Sequence, residues 1–359
     1  MRAQAHRRAA LALALTAALA LAGCGSSGST SSTSTASTAA LVSIGSGLMG
    51  PAGLRATLYG SGPQSTAAFT LDPHGRLWVA AAGLETHSLD GVYLLPHAGG
   101  RAVRVISGLN DPLGLAWFQG SLYVASVGRV DAYSGFDGRR FASHREVIRG
   151  PLAGGENNAL VMAPDGRFVM GITASCDHCT PASRWSGSIV SFLPDGGGLR
   201  LYAARVRAPV GLAYLPGSSD LFVTINQRDD LGALTPGDLL AQIDEGQSWG
   251  FPSCWGQGGA VCAGVPDPVA VLDKHAAVGS VAIVTGQLGE GVGTSAIVPE
   301  WNVAKVQRVA LRRSASGFQG TVSPFITGIE HPLAVVLAPD GSLLLGDWAT
   351  GRIYRVAQR

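Results

Sequence analysis

Charge, aromatic side chains and helical periodicity are all scarce in this 359-residue sequence. Charged residues make up 14% and aromatics 7%, against 50 glycines and 19 prolines. Basic and acidic residues nearly cancel, 26 against 24. No basic face builds up, which argues against nucleic acid as a partner. Few stretches carry helix-spaced apolar residues, while turn signals are abundant. The length past residue 41 suffices for one large all-β domain or two smaller ones, and the glycine content favours one. Long apolar runs are limited to Ala9–Ala20, built only of Ala, Leu and Thr and too short to span a bilayer.

That run follows Arg2, Arg7 and Arg8 and ends in Leu21-Ala22-Gly23-Cys24, which matches the bacterial lipobox. We therefore expect residues 1–23 to be a lipoprotein signal peptide. Cys24 would carry the lipid and hold the protein outside the cytoplasm, anchored to the cell membrane. The other reading is an ordinary secretory signal with an incidental cysteine. Residues 24–42, rich in Gly, Ser and Thr, read as a disordered linker, and residues 43–359 as the folded domain. Loss of the three arginines takes the formal charge from +2 to −1.

Cysteine is also sparse, five in all. With Cys24 lipidated, Cys176/Cys179 and Cys254/Cys262 remain. Each pair is local and the expected compartment is oxidising, so both are predicted to be short-loop disulfides. Two alternatives stand for Cys176-Asp177-His178-Cys179: a zinc site, which needs a second ligand pair, and a redox motif, which belongs in a βαβ setting.

A weak repeat runs through the body: apolar strand, Pro-Asp-Gly-like turn, apolar strand. Its instances are Thr70–Ala80, Gly114–Ser126, Leu160–Ile172, Gly211–Ile225 and Val335–Asp347. Further strands follow at Gly91–Leu95, Gly187–Leu193 and Gly351–Val356. Spacings of this kind are those of propeller blades of about four strands. A sixth blade is expected in Val281–Leu311, which has strands without the turn. The predicted fold is an all-β, six-bladed β-propeller. Three segments precede inner strands with a shared cue: Asp111-Pro112-Leu113, Ala208-Pro209-Val210 and His331-Pro332-Leu333. They should lie near the axis, which makes Arg207 and His331 pocket candidates by position.

The stretch Leu221–Pro252 stands apart. A strand (Leu221–Ile225) breaks into Asn226-Gln227-Arg228-Asp229-Asp230, charges that are costly to bury unless paired or bound to a cation. A Gly-Pro connector and an apolar segment follow, then Gly246-Gln247-Ser248-Trp249-Gly250-Phe251-Pro252. NQRDDLG, PGDLL and GQSWGFP, in that order, resemble the N-E-R-D-x-L-G, P-D-x-L and G-x-x-Y-G-W-P segments of the soluble quinoprotein glucose/sorbosone dehydrogenases. The likeness covers roughly Ala67 to Val356 and is nearest the sorbosone-type subgroup. It implies a six-bladed propeller that holds pyrroloquinoline quinone and calcium, oxidises a sugar or related alcohol or aldehyde, and passes electrons to an external acceptor.

Carried over by that resemblance, Arg207 matches the arginine that contacts the quinone, where a cation stabilises negative charge on quinone oxygens. Ala208 replaces the neighbouring asparagine. Gln227 falls near the cofactor, and Arg228 and Asp229 fall where backbone carbonyls hold calcium. Asp230 and Asp238 are possible oxygen donors to a hard cation. Trp249 and Trp255 are candidates for stacking on a planar ring. His275-Ala276-Ala277-Val278-Gly279 resembles H-S-A-x-x-G. Asn302 in Trp301-Asn302 and His331 fall on cofactor positions, and Asp347 on a terminal Asp. One departure bears on catalysis: the general-base histidine of the pattern falls at Gly155, and Glu156 is the nearest replacement. The alternatives are a propeller that binds or scaffolds without catalysis, and a metal-dependent lactonase with Glu156, Asn157, Asn226 and Asp347 as ligands.

Overall fold

The computed structural model describes residues 40–359 except 151, 153, 154 and 182. The predicted signal peptide, Cys24 and most of the linker lie outside the described residues. The described chain is all-β, with three short 3-10 turns and no α-helix.

Six antiparallel sheets follow one another as blades. From the inner strand outward, blade 1 is Thr66–Leu71, Leu77–Ala81, Gly91–Leu95 and Val103–Ile106. Blade 2 is Gly114–Phe118, Ser121–Ser126, Arg129–Phe136 and Phe141–Arg149. Blade 3 is Asn157–Met162, Phe168–Ile172, Ser188–Phe192 and Arg200–Ala204. Blade 4 is Pro209–Tyr214, Leu221–Ile225, Gly237–Gln242 and Ala270–Lys274. Blade 5 is Ala282–Thr285, Thr294–Glu300, Lys305–Ser314 and Gly317–Thr327, extended by the hairpin Val42–Gly45/Leu48–Gly50. Blade 6 is Pro332–Leu337, Leu343–Asp347 and Arg352–Gln358, completed on its outer edge by Leu54–Ser61.

The expected sixth blade is blade 5 here. It reaches past the predicted Leu311 to the strand Gly317–Thr327, whose half-exposed pattern carries no apolar run.

The second strand of each blade is buried on both faces, which explains why these segments read as unbroken apolar runs. In Leu77–Ala81, Leu77, Val79 and Ala81 pack toward blade 6, while Trp78 and Ala80 pack toward blade 2. The same division recurs around the ring, so the core is six wedges of apolar side chains, one between each pair of neighbouring blades. Near the axis the backbones crowd. A Cβ at Gly114 would run into the carbonyl of Asn158 in the next blade, so glycine is required there by close approach.

Candidate active site

The segments that precede the inner strands meet on the axis. Leu113, Val210 and Leu333, each the residue after the proline of its cue, form a ring with Asn158. On one side is a chamber of about 390 Å³ walled by inner-strand residues such as Leu115, Leu160, Leu212 and Val335. On the other is a chamber of about 380 Å³ with a mixed wall, within the range of ligand sites. Glu156, Arg207, Gln227, Asp229, Asp238 and His275 supply its polar side, and Trp301 and Trp348 its aromatic side.

Arg207 is held rigidly. Its Nε donates to the Asp177 carbonyl at 2.9 Å, its Nη1 to the Asn226 carbonyl at 3.0 Å, and its Nη2 to the Asp177 carboxylate. Three of its five N–H groups are thus engaged, which leaves one on each Nη. Asp177 is delivered by the Cys176–Cys179 loop and also accepts the backbone N–H groups of Asp229 and Asp230. It ties the arginine to the Asn226–Asp230 turn.

Asp238 is buried. Its Oδ1 accepts the Gln227 N–H at 2.8 Å; the Val278 and Ala277 N–H groups face the carboxylate, and its Oδ2 makes no well-formed hydrogen bond among the described residues. Burial pushes its carboxyl up to about 6, against the pull of the Gln227, Val278 and Ala277 N–H groups and the Arg207 charge. Asn226 Oδ1, on the same wall, is a second buried oxygen without a partner. Two buried oxygens that lack a well-formed hydrogen bond among the described residues, beside one chamber, are unusual, and they fit a hard cation that takes oxygen ligands. Trp301 and Trp348 meet edge to face at 5.6 Å and 79°, and with Arg207 they suit a flat, anionic ring system.

Glu156 is half-buried on the wall, and its carboxylate has no partner among the described residues. Gly155 cannot carry a histidine in this backbone, because a Cβ there would run into the Thr173 carbonyl. His275, whose Nδ1 lies 3.5 Å from Asp229 Oδ2, is the imidazole that reaches the chamber.

Several predicted residues sit elsewhere. Trp249 is packed between blades 3 and 4 and donates its indole N–H to Gln247 at 3.3 Å. Asn302 is exposed and donates Nδ2 to the His275 carbonyl at 2.8 Å, so it positions that residue from behind. His331 stacks on the back of Trp301, with ring centroids 4.2 Å apart, and lines neither chamber.

The Asp230 carboxylate is gripped by Arg228 at 2.7 Å through both Nε and Nη2 and by His178 at 3.0 Å, and the Arg228 bonds hold it well below the carboxylate range. It lies beside Asp177 and His178, off the chamber wall. The Asp229 carbonyl accepts the Thr235 hydroxyl at 3.3 Å. The four lactonase ligands do not converge: Asn157 Nδ2 donates to the Ser126 carbonyl inside blade 2, and Asp347 accepts the His331 and Ala349 N–H groups and the Thr350 hydroxyl. Cys176–Cys179 and Cys254–Cys262 are disulfides, with Cα separations of 5.7 and 5.1 Å.

Local pattern had singled out neither Trp348 nor the chamber role of His275. The available signal was positional: Trp348 follows the last residue of a second strand, and His275 follows an outer strand.

The fold and its axial chamber define a six-bladed β-propeller with a polar-and-aromatic pocket at one end of the channel. Solved structures share that architecture. The PQQ-bound aldose sugar dehydrogenase from Streptomyces coelicolor is 20% identical, with 86% of this chain and 99% of that one covered, at a TM-score of 0.69. The holo PQQ domain of pyranose dehydrogenase from Coprinopsis cinerea is 16% identical, with 86% and 97% covered, at 0.69. The calcium structure of a carbohydrate-active enzyme of family AA12 from Trichoderma reesei is 16% identical, with 87% and 97% covered, at 0.69. At these identities the likeness establishes the fold. No family model and no curated protein matches the sequence.

Proposed function

We propose that this protein is a quinoprotein dehydrogenase that oxidises a sugar or related alcohol or aldehyde, using pyrroloquinoline quinone and calcium, and that a lipid on Cys24 holds it outside the cytoplasm at the membrane surface. The observation that carries the reading is the pair of buried oxygens, Asn226 Oδ1 and Asp238 Oδ2, that make no well-formed hydrogen bond among the described residues and belong to the wall of one chamber. The structures that share this fold include PQQ-bound and calcium forms. The sorbosone-type subgroup rests on the sequence pattern alone, at His275–Gly279, Trp301-Asn302, His331-Pro332 and Asp347.

Asn226 and Asp238 would supply oxygens to the cation, and the free N–H groups of Arg207 would hold a negatively charged oxygen. The quinone, when bound, takes up the two electrons that leave the alcohol carbon. The protein's part is to orient the hydroxyl and receive its proton. Glu156, whose carboxylate has no partner among the described residues, and His275, backed by Asp229, are the wall groups able to do so. Trp301 and Trp348 limit water on the opposite side.

A second reading is a propeller that binds without catalysis. The observation in its favour is Gly155, which the Thr173 carbonyl closes to any side chain at the histidine position. Titration with pyrroloquinoline quinone in calcium, followed by absorbance, tests both. One-to-one binding with dye reduction by an aldose supports the dehydrogenase. Binding without reduction supports the second reading, and no binding at excess cofactor overturns the first.

A further inference from the structure

A separate cavity of about 530 Å³ adjoins the outer chamber, and Arg207 and Gln227 line both. Much of its remaining wall comes from the long connection between the third and fourth strands of blade 4, which the Cys254–Cys262 disulfide closes. The proposed reaction makes no use of this space.

Its chemistry is distinct from that of the chamber. Trp249, Phe251 and Trp255 supply three aromatic rings to the wall. The first two are buried, 7% and 5% exposed, and fixed by packing. Trp255 is half-buried, with the Arg228 guanidinium 5.8 Å from its ring and no partner for its indole N–H among the described residues. On the wall shared with the chamber, the Gln227 amide has no partner among the described residues, and Arg207 keeps two N–H groups unengaged. The segments that frame the cavity carry exposed apolar side chains: Leu234 at 72%, Val261 at 51% and Val271 at 58%. Asp267, also on the wall, disfavours an anion.

We propose that this cavity binds a flat, uncharged ring bearing carbonyl oxygens, the chemistry of a benzoquinone or naphthoquinone. Trp255 is the stacking face and Gln227 the donor to a ring carbonyl. The exposed apolar residues favour a ligand that arrives from an apolar phase over a hydrated sugar. The site itself rests on this geometry. Its role rests on the dehydrogenase reading: the ring is the external electron acceptor. The alcohol loses two electrons and two protons in becoming a carbonyl compound, and the quinone gains both in becoming a hydroquinone.

The test is calorimetric titration of the full-length protein, without added cofactor, with 2-methyl-1,4-naphthoquinone and separately with glucose. One naphthoquinone site is expected. Trp255→Ala should weaken it about tenfold, the scale of losing an aromatic contact. Val271→Arg, at an exposed position on the cavity wall, should weaken it as well without threatening the fold. Leu58→Arg, on an exposed position of blade 6, should leave it unchanged. Naphthoquinone binding that is absent at millimolar concentration, or that both cavity variants leave intact, overturns the proposal, as does glucose binding that alone depends on Trp255. The cofactor titration tests the dehydrogenase reading independently, so the two can fail separately.

Discussion

Glu300, at the end of Thr294–Glu300 in blade 5, has no exposed side-chain surface, and its Oε1 accepts the Asp273 N–H at 3.2 Å. Lys305 Nζ pairs with the Asp273 carboxylate and lies 3.8 Å from Glu300 Oε2. Burial pushes the Glu300 carboxyl up to about 8, the Asp273 charge adds to the effect, and the Asp273 N–H and Lys305 oppose it. Glu300 is then neutral near pH 7 and shares its proton with Asp273. A raised folded value means that the stability is fully present below the ordinary 4.5 and is lost as pH rises through about 8. The full extent of that loss is roughly 5 kcal/mol, and about half of it, roughly 2–3 kcal/mol, falls between about pH 6 and about pH 9. Glu300→Gln keeps an oxygen for the Asp273 N–H and an N–H for its carboxylate, so it copies the neutral acid without the titration. Urea unfolding at both pH values should show the wild type losing stability on going to the higher pH and the variant losing roughly 2–3 kcal/mol less. Equal losses in the two proteins would refute the reasoning.

Two further outcomes are expected. Gly155→Ala and Gly155→His should both destabilise the protein, by roughly 1–3 kcal/mol from overpacking against the Thr173 carbonyl, and the introduced imidazole should not restore a base; an unchanged unfolding midpoint in either variant would contradict this. His87 lies beside Asp90 at 2.9 Å and Asp111 at 3.5 Å, and the Asp90 hydrogen bond, followed by the Asp111 charge, raises it above 6.5. Its contribution is present below the ordinary imidazole value and fades as pH rises through the folded one, so a proton NMR titration should find its midpoint above 6.5, lowered by Asp90→Asn; a midpoint at or below that value would count against the pairing.

The inner part of each blade is legible in the sequence because both faces of the second strand are buried, so its apolar run survives any register. Outer strands such as Leu54–Ser61 and Gly317–Thr327 expose one face, and their mixed pattern resembles a loop. The axial cues were legible for a steric reason: Pro112, Pro209 and Pro332 set up an extended entry, and the next residue faces the channel. The chamber was legible only in part. Arg207, Gln227 and Asp238 come from segments whose order matched a known pattern, whereas Trp301 and Trp348 become neighbours only when blades 5 and 6 pack together. For Trp249 the pattern left two roles open, because glycines around an aromatic residue serve close inter-blade packing as readily as ligand approach.

The seam of the ring lies in blade 6, where Leu54–Ser61 pairs with Arg352–Gln358. A ribosome must therefore have made the strand Arg352–Gln358 before this blade can zip shut, and until then the wedges on either side of it stay wet. Removing the strand Arg352–Gln358 would act as a zipper pull, loosening blades 1 and 5 together although neither is cut. A circular permutant opened in an exposed turn of another blade, such as Asp137-Gly138, would move the seam without touching the axis.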